Sequence, residues 1–353
     1  MREHILQKID LVCPLCRRIE SGRLVQSTLF LADVLHKDQD YIIEGFLKCE
    51  DARCGAHYPI IRGVPVILKK LDSWWESEKR YFSIPNAQSS EIKEFLERLG
   101  YKAFEHLEDR QKLGTYMDAH YGVKEPPQSI GSINGKDFWE NIVSLLSTGI
   151  NNSTEVSLDI GCSVGRGTFE LGKVSDFAVG IDINYQMVAV AAEIQRQHNF
   201  AYEHKTHGRF FKKIQSNYEP SDNILFLVAD AMDPPFKAAT FDLIAAFNVI
   251  DNVKYPLTLL GQIDALLRQN GILLLSSPYE WRKDICEMNE WLENANLDSP
   301  EFLRNVLKGA LVQDMNLHYE IMHEEHDVPW VLRHHKRYWS MFLVHILRAK
   351  KLH

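Results

Sequence analysis

Short apolar runs alternate with helical stretches through the second half of the chain. The apolar runs are rich in Ile, Leu and Val, and they are VSLDI, FAVGIDI, ILFLVAD, FDLIAAFNVI and GILLLSSP. QMVAVAAEIQRQ and LTLLGQIDALLRQ are examples of the helical stretches between them. Strands that are apolar on both faces and are joined by helices predict a parallel sheet in a doubly wound α/β fold.

The pattern changes toward both ends. Residues 1–70 contain short β-type runs, YIIEGFLKC and YPIIRGVPVIL, around paired cysteines, which predicts a small domain. Residues 71–130 are predicted to be a helical linker or cap, because apolar side chains recur at intervals of three and four. Those side chains belong to Ile92, Phe95, Leu96, Leu99 and Phe104. The α/β domain is predicted over 131–353, with a helix in PEFLRNVLKGALV and two final strands in LHYEIMHEE and RYWSMFLVHILRA.

Composition narrows the class of protein. The length of 353 residues and the apolar content of 45% suffice for a large core, and roughly two domains are expected. Four of the six cysteines fall within the first 54 residues, which favours a metal site in a reducing compartment over a disulfide scaffold. Together with charges near the N-terminus and the lack of a long apolar run, this predicts a cytoplasmic protein without a membrane span. The net charge of -8 makes nucleic-acid binding a weak expectation.

A glycine-rich loop, DIGCSVGRG at 159–167, follows the first predicted strand of the α/β domain. Such a turn requires small residues where backbone approaches a ligand. A dinucleotide fingerprint requires glycine where Ser163 and Arg166 stand, so that interpretation fails. The spacing instead fits acid-x-Gly-x-x-x-Gly-x-Gly, the form that receives the carboxylate and sulfonium of S-adenosylmethionine. An ordinary glycine-rich turn is the alternative.

Three further strands end in polar residues. Asp182 is placed to accept hydrogen bonds from ribose hydroxyls, Asp230 from an adenine amino group, and Asn248 lies beside the expected reactive methyl. Ligands of such sheets bind at the carboxyl ends of the strands, so these positions predict one site. The predicted cofactor-binding residues are Asp159, Gly161, Cys162, Ser163, Gly165, Asp182, Ile183, Asp230, Ala231 and Asn248.

The segments DIGCSVGRG, VGIDIN, VADAMD, FDLIAAFNVID and LLRQNGILLLSSP occur in an order that resembles class I S-adenosylmethionine-dependent methyltransferases, over about 200 residues. The resemblance implies a Rossmann-like sheet of seven strands whose last two form an antiparallel pair. It also implies S-adenosylmethionine as cofactor. Ser163 stands where the commoner form of the loop has its middle glycine.

Two cysteine pairs lie in the N-terminal unit, Cys13 with Cys16 and Cys49 with Cys54. Four thiolates satisfy tetrahedral Zn²⁺, and such a closed site is normally structural. Chance clustering, or His57 as a ligand, is the alternative. The CPLC motif and the tail YPIIRGVPVIL are similar to zinc ribbons of the Trm112 type, small proteins that stabilise methyltransferases as partners. The C-x4-C spacing departs from the usual C-x2-C of that family.

Asn248 and Asp251, in FNVIDN, are the candidate catalytic residues. A neutral imidazole that attacks a methyl group requires mainly a hydrogen-bond partner that fixes its tautomer and accepts its proton. The alternative is that Asn248 caps a strand and touches only the cofactor, while Asp251 caps the next helix.

The segments HYG (120–122), DIGCSVGRGTFEL, SSPYEW and DVPWVLRHHKRYW resemble the methyltransferase module of ovothiol-type synthases. NVIDNVKYPLTLL is similar to protein-histidine methyltransferases and, more loosely, to carnosine N-methyltransferase. These families methylate a histidine ring nitrogen, so the resemblance implies a small-molecule, peptide or protein substrate that contains an imidazole. The predicted walls of its pocket are His120, Tyr121, Tyr279 and Trp281.

Two other functions are considered. An RNA base methyltransferase would use the basic segment HKTHGRFFKKIQ (204–215), although a solvated helix face is the favoured interpretation of that segment. A non-catalytic scaffold is the third hypothesis, and the oligomeric state is not predicted. The C-terminal histidines do not form the helical H-E-x-x-H motif of zinc proteases and are expected at a pocket rim or on the surface. They are His323, His326, His334 and His335, and strand alternation places the first two on opposite faces.

Overall fold

The computed structural model describes residues 1–21, 23–78, 89–98, 107–122, 137–149, 154–311 and 317–353. The helices of these ranges are α1 Glu3–Leu6, α2 Leu71–Glu78, α3 Ser90–Arg98, α4 Leu107–Tyr121, α5 Phe138–Gly149, α6 Arg166–Gly172, α7 Tyr185–Gln197, α8 Pro256–Leu266 and α9 Ser299–Leu307. The strands are β1 Arg18–Glu20, β2 Arg23–Val25, β3 Leu29–Asp38, β4 Tyr41–Cys49, β5 His57–Ile61, β6 Val64–Ile67, β7 Val156–Ile160, β8 Phe177–Asp182, β9 Asn199–His207, β10 Phe210–Asn217, β11 Ile224–Ala229, β12 Phe241–Phe247, β13 Leu267–Ser277, β14 Tyr319–His335 and β15 Tyr338–Lys351.

The five predicted apolar runs are β7, β8, β11, β12 and β13, and all five are parallel. Helices α7 and α8 lie between them as expected. Helix α8 ends at Leu266, three residues earlier than its sequence pattern predicts. The reason is that Leu267 already pairs with Phe241 as the first residue of β13. The final antiparallel pair, β14 and β15, is confirmed, with β15 bonded to β13.

The expectation of a seven-stranded sheet is wrong. Seven strands do follow the order β11-β8-β7-β12-β13-β15-β14, but the sheet continues past β11 through β6, β5, β4 and β3 to eleven strands. Strand β6 pairs parallel with β11 through Val66↔Val228 and Ile67↔Ala229. An exposed edge at β11 would leave a row of backbone groups unpaired, and β6 covers it.

Side chains also join the cysteine unit, residues 1–70, to the rest of the molecule. One hydrophobic cluster contains Ile5 and Leu47 of the cysteine unit together with Leu227 of β11. The Tyr185 hydroxyl donates to the Ile61 carbonyl at 3.2 Å. This unit and the α/β fold therefore share one sheet and one core.

The predicted helical segment 71–130 contains α2, α3 and α4. Ile92 and Leu96 are buried, as the apolar spacing predicts, and Phe95 packs against the same cluster. The other two predicted apolar positions, Leu99 and Phe104, lie outside the described residues.

The basic segment 204–215 is a β-hairpin, so its favoured interpretation as a helix face is wrong. Strands β9 and β10 pair antiparallel across it. Phe200, Tyr202 and His204 are buried and alternate with exposed residues, which is the period of a strand. Within the ranges that the structure describes, no helix has the length and apolar character needed to cross a bilayer.

Candidate functional site

The glycine-rich loop between β7 and α6 adopts a backbone that requires glycine at two positions. Gly161 has φ +73° and Gly165 has φ +88°. A Cβ on Gly161 would lie 2.3 Å from Cγ2 of Val249, and one on Gly165 would lie 2.7 Å from Cβ of Ala191. Cys162, between them, is buried, and its N–H donates to the Ile181 carbonyl at 2.9 Å. The loop is thereby folded tightly over the end of β8.

Ser163 has a left-handed backbone, with φ +50°, although it is not glycine. Its N–H donates to Oδ2 of Asp182 at 2.9 Å. Its Oγ is buried without a hydrogen-bond partner among the described residues. Buried hydroxyls nearly always have a partner, so this orphaned atom fits a polar ligand group in the loop.

Asp182 ends β8 and is held by the backbone on both oxygens. Oδ1 accepts from the Asn184 N–H at 2.8 Å, while Oδ2 accepts from Ser163. Burial raises the pKa of this carboxyl. Each carboxylate oxygen retains acceptor capacity for a ligand hydroxyl. Ile183 beside it is 42% exposed and offers an apolar surface next to the acid.

Asp159 lies behind the loop. It is only 2% exposed, and its Oδ2 accepts from Thr168 Oγ1 at 2.7 Å. Burial, assisted by the charge of Asp182, raises the pKa of Asp159 to about 7. An acid this costly to ionise in the folded protein is a candidate for pairing with a ligand cation.

Asp230 follows β11, and its Oδ1 accepts from the Met232 N–H at 2.8 Å. Ala231 is partly buried against the core. The 230–236 loop that they begin is held by the cysteine unit. Arg17 donates to Asp233 Oδ1 at 2.8 Å and to the carbonyls of Pro234 and Phe236 at 2.8 and 3.0 Å.

Asn248 follows β12 with φ +56°, a left-handed conformation at the end of a strand. Its N–H donates to the Ser276 carbonyl at 2.8 Å, and its Oδ1 accepts from Ser276 Oγ at 3.0 Å. Its side-chain orientation is therefore fixed by β13, and its Nδ2 donates no hydrogen bond to the described part of the chain. This agrees with a role in orienting a ligand.

Asp251 is 1% exposed in a 3-10 turn, Ile250–Asn252. It does not cap α8, since that helix begins at Pro256. Its Oδ2 accepts from the Glu280 N–H at 3.0 Å and its Oδ1 from Asn252 Nδ2 at 3.2 Å. Burial raises the pKa of Asp251. The carboxyl thus fixes the segment after β13 and adds a buried negative group near Asn248.

The predicted pocket walls lie in two places. Tyr279 and Trp281 pack against the hydrophobic cluster on one side of the sheet, and Tyr121 packs against the cluster on the other. The Tyr121 hydroxyl donates to the Val164 carbonyl of the glycine-rich loop at 2.7 Å, so it braces that loop. His120 is 9% exposed and lies 5.1 Å from the Trp139 ring, between centroids. Substrate contact by these four residues stays a prediction.

Tyr116, on α4, is a residue that the sequence did not single out, and it lies within electrostatic range of two candidate site acids. Burial raises its pKa, and the negative charges of Asp182 and Asp251 raise it further. Helix α4, which carries Tyr116, packs against β9 and β14. The signal was available, since Tyr116 precedes His120 by four residues and shares its helix face.

The four paired cysteines converge, as their spacing predicts. All four sulfur atoms lie within 4.8 Å of one another, with Cys13 Sγ 3.8 Å from Cys54 and Cys16 Sγ 3.4 Å from Cys49. Sulfur atoms about 2.3 Å from a tetrahedral Zn²⁺ are about 3.8 Å apart, so the group fits that ion. His57 bonds the Gly55 carbonyl instead, at 2.7 Å. The Tyr58 hydroxyl lies 3.2 Å from Cys13 Sγ.

Residues 158–275 match the family model described as a methyltransferase domain. The O-methyltransferase cnsE of Penicillium expansum is 28% identical to this chain over 165 residues, which cover 46% of this chain and 51% of that protein. The chain therefore spans about half the length of the curated relative that it matches.

Two solved structures are also similar. A SAM-dependent methyltransferase from Methanosarcina mazei aligns with a TM-score of 0.41 and 19% identity, covering 62% of this chain and 99% of that chain. A chain from the complex between the Haloferax volcanii Trm112 methyltransferase activator and a methyltransferase aligns with a TM-score of 0.44 and 14% identity. That alignment covers 71% of this chain and 100% of the other chain.

Proposed function

We propose that this chain, whose residues 158–275 belong to the methyltransferase domain family, transfers a methyl group from S-adenosylmethionine to an imidazole nitrogen. The acceptor would be a histidine derivative, peptide or protein. The observation that carries the cofactor assignment is the position of Asp182, whose two oxygens are anchored by the N–H groups of Ser163 and Asn184. One carboxylate thus links the glycine-rich loop to the ribose-binding position.

The residues that would hold the cofactor have separate tasks. The Gly161–Gly165 backbone and the orphaned Ser163 hydroxyl suit its amino-acid end, and buried Asp159, whose pKa is raised to about 7, would ionise when paired with the cationic ammonium group of that end. Asp182 suits the ribose and Asp230 the adenine, with Ile183 and Ala231 as apolar neighbours. When bound, S-adenosylmethionine supplies an electrophilic methyl group.

Methylation of a neutral imidazole leaves the ring positively charged, so negative and dipolar groups nearby lower the barrier. Asn248 has a side chain fixed by Ser276 and can orient the acceptor ring. Buried Asp251 stabilises the developing cation and holds the chain at Glu280, next to Tyr279. We infer that Tyr116, whose pKa is raised by burial and by the charges of Asp182 and Asp251, helps to exclude water from the same space.

The cysteine unit would bind a structural Zn²⁺ through Cys13, Cys16, Cys49 and Cys54. Its sulfur geometry supports this, and its Arg17 side chain reaches the 230–236 loop. We infer that the ion stabilises the unit that in turn positions Asp230. The fused unit would thereby support cofactor binding without supplying any group to the reaction.

The hairpin of β9 and β10 gives the RNA hypothesis little support. Of the two phenylalanines in the 204–215 segment, Phe211 is covered by the Arg110 guanidinium at 4.3 Å from the ring centroid. Phe210 is 66% exposed, but it is a single aromatic side chain. Stacking platforms for single-stranded RNA normally combine several aromatic rings with a basic groove.

The test begins with calorimetric binding of S-adenosylmethionine and S-adenosylhomocysteine to the full chain. Labelled cofactor is then incubated with histidine, carnosine, histidine-containing peptides, hydroxyl acceptors and total RNA. We expect label in an imidazole fraction, and we expect Asn248→Ala and Asp251→Ala to reduce it at least tenfold. If the cofactor bound but label entered only a hydroxyl or RNA fraction, the acceptor would belong to that class and the imidazole proposal would be wrong. Absence of cofactor binding by folded protein would favour the scaffold hypothesis.

A further inference from the structure

Three side chains of the β14–β15 pair lie close together, at a place separate from the four paired cysteines. They are Glu324 and His326 on β14 and His345 on β15, and we call them the His–Glu cluster. One carboxylate oxygen and two imidazole nitrogens lie within 4.8 Å of one another. We propose that the His–Glu cluster binds a divalent transition-metal ion such as Zn²⁺, Co²⁺ or Ni²⁺.

The strand pairing explains the convergence. Glu324 pairs with Leu347 and Glu325 with Ile346, so His345 comes opposite the chain that follows Glu325. Alternate residues of a strand share a face, which puts Glu324, His326 and His345 on the same side. His323 lies on the other face, where its Nε2 is 3.0 Å from Glu325 Oε1. The predicted separation of His323 from His326 is confirmed, but His345 was not considered because it is remote in sequence.

The donor atoms are spaced as a metal requires. Glu324 Oε1 lies 2.8 Å from His345 Nε2 and 3.7 Å from His326 Nε2. Donors about 2.1 Å from one ion lie about 3.0 to 3.4 Å apart, depending on the coordination geometry. The two imidazole rings are nearly parallel, at 16°, with centroids 4.7 Å apart. Small side-chain movements would therefore place all three donors around one ion.

The ligand set selects the class of ion and leaves room for another ligand. Two imidazoles and one carboxylate suit zinc and its neighbours in the first transition series. The side chains of His345, Glu324 and His326 are 4%, 19% and 53% exposed, so the site opens to solvent on the His326 side. A fourth position is thereby available to water or to a ligand atom.

Two neighbouring groups affect how the His–Glu cluster would bind a metal ion. Arg304 lies 3.4 Å from Glu324 Oε2, which holds the carboxylate with Oε1 toward the histidines but also weakens its attraction for a cation. The Tyr279 hydroxyl lies 2.8 Å from His345 Nδ1. A metal on Nε2 requires the proton of His345 on Nδ1, so Tyr279 would then accept a hydrogen bond. Such outer-shell partners orient a ligating histidine.

The test is a Co²⁺ and Zn²⁺ titration of the full chain, followed by calorimetry and by the visible spectrum of Co²⁺. Wild-type protein is compared with Glu324→Gln, which keeps the shape of the side chain, and with His326→Ala, whose side chain is 53% exposed. His323→Ala is the matched control, because it removes a histidine of the same strand on the opposite face. His345→Gln is examined only if it retains the wild-type unfolding temperature.

We expect the wild type to bind one metal ion more than His326→Ala. This difference does not depend on whether the four paired cysteines also bind an ion. Glu324→Gln should weaken that site at least tenfold, and His323→Ala should leave it unchanged. Tyr279→Phe should weaken it about tenfold, as loss of an outer-shell partner does. Equal numbers of sites in the wild type and in His326→Ala would overturn the proposal. A loss of affinity in His323→Ala as large as in His326→Ala would do so too, because it would indicate scattered surface histidines.

Discussion

At the residue scale, Asp182 is where the candidate cofactor site is most sharply defined. In Asp182→Asn one acceptor oxygen becomes an NH2 group, which would face either the Ser163 or the Asn184 N–H, donor against donor. Hydrogen bonds to charged groups contribute about 1.5 to 3 kcal/mol, so we expect affinity for S-adenosylmethionine to fall about 10- to 100-fold. Calorimetry measures this, with Asp176→Asn, an exposed acid just before β8, as control. Unchanged affinity in Asp182→Asn would remove this residue from the site.

Asp159 makes a prediction about pH. Its pKa in the folded protein is raised to about 7, so the native state holds a proton that the unfolded chain releases near pH 4. The contribution of Asp159 to stability is therefore fully present below about pH 4 and is lost as pH rises through 7, by up to roughly 4 kcal/mol.

The measurement is urea unfolding of ligand-free protein between pH 5 and pH 8. Asp159→Asn, which can still accept from Thr168, should gain stability over the wild type as pH rises, while Asp176→Asn should show no such trend. The same variant should bind S-adenosylmethionine more weakly. A constant difference between Asp159→Asn and wild type across this range would show that the acid ionises normally.

At the element scale, the 230–236 loop depends on contacts from the cysteine unit. Arg17 is 17% exposed in its side chain and makes three hydrogen bonds to this loop. Arg17→Ala should cost about 1 to 3 kcal/mol of stability, because Asp233 and two carbonyls lose their donor. Affinity for S-adenosylmethionine should fall about 5-fold or more, the lower end of usual coupling between sites.

Arg18→Ala is the matched control for that experiment. Arg18 is the next residue, but its side chain is 44% exposed and pairs with Glu20 inside the cysteine unit. Metal content, measured by atomic absorption, should be equal in both variants. If Arg17→Ala bound the cofactor as tightly as Arg18→Ala does, the loop would be independent of this unit.

The elements also show what the sequence can and cannot predict. The parallel strands were predictable because each is a short apolar run followed by a polar residue, as in FAVGIDI and ILFLVAD. The pairing of Val66 with Val228 was not predictable, because the apolar run VPVIL would suit either edge of the sheet. The β9–β10 hairpin was missed because its positive charges hid the alternation of Phe200, Tyr202 and His204.

The candidate site also has parts that the sequence predicts and parts that it does not. Positions at or just after the end of a strand, such as Asp182 and Asn248, could be predicted as parts of one candidate site because the topology places strand ends together. The separation of Tyr121 from Tyr279 was not predictable, since it depends on which side of the sheet each segment packs. Tyr116 shares a helix face with His120, which the sequence shows, but its proximity to the two acids arises from tertiary packing, which the sequence does not show.

At the scale of the whole molecule, the continuous sheet predicts cooperative unfolding. All seven tryptophans lie at residue 74 or beyond, so their fluorescence reports on the chain outside the cysteine unit. Removal of the proposed Zn²⁺ by a chelator should nevertheless lower the unfolding temperature seen by tryptophan, by more than about 5 °C. The physical reason is the shared core and the β6–β11 pairing.

Two controls make that experiment specific. Zinc added back should restore the transition, and His326→Ala, which is expected to lack the proposed second site, should show the same chelator effect. An unchanged tryptophan transition in protein shown to have lost its zinc would mean that the two parts unfold separately.

The attachment of the cysteine unit to the α/β fold within one chain has a further consequence. Docking between separate proteins must overcome the loss of translational and rotational freedom, whereas a tethered unit meets its surface at an effective concentration in the millimolar range. The two residue pairs that join β6 to β11, the shared hydrophobic core and the contacts of Arg17 therefore form without the loss of freedom that a separate partner would incur. The cysteine unit and the α/β fold are also produced in a one-to-one ratio. A shortage of the cysteine unit therefore cannot leave the α/β fold without the contacts that stabilise it.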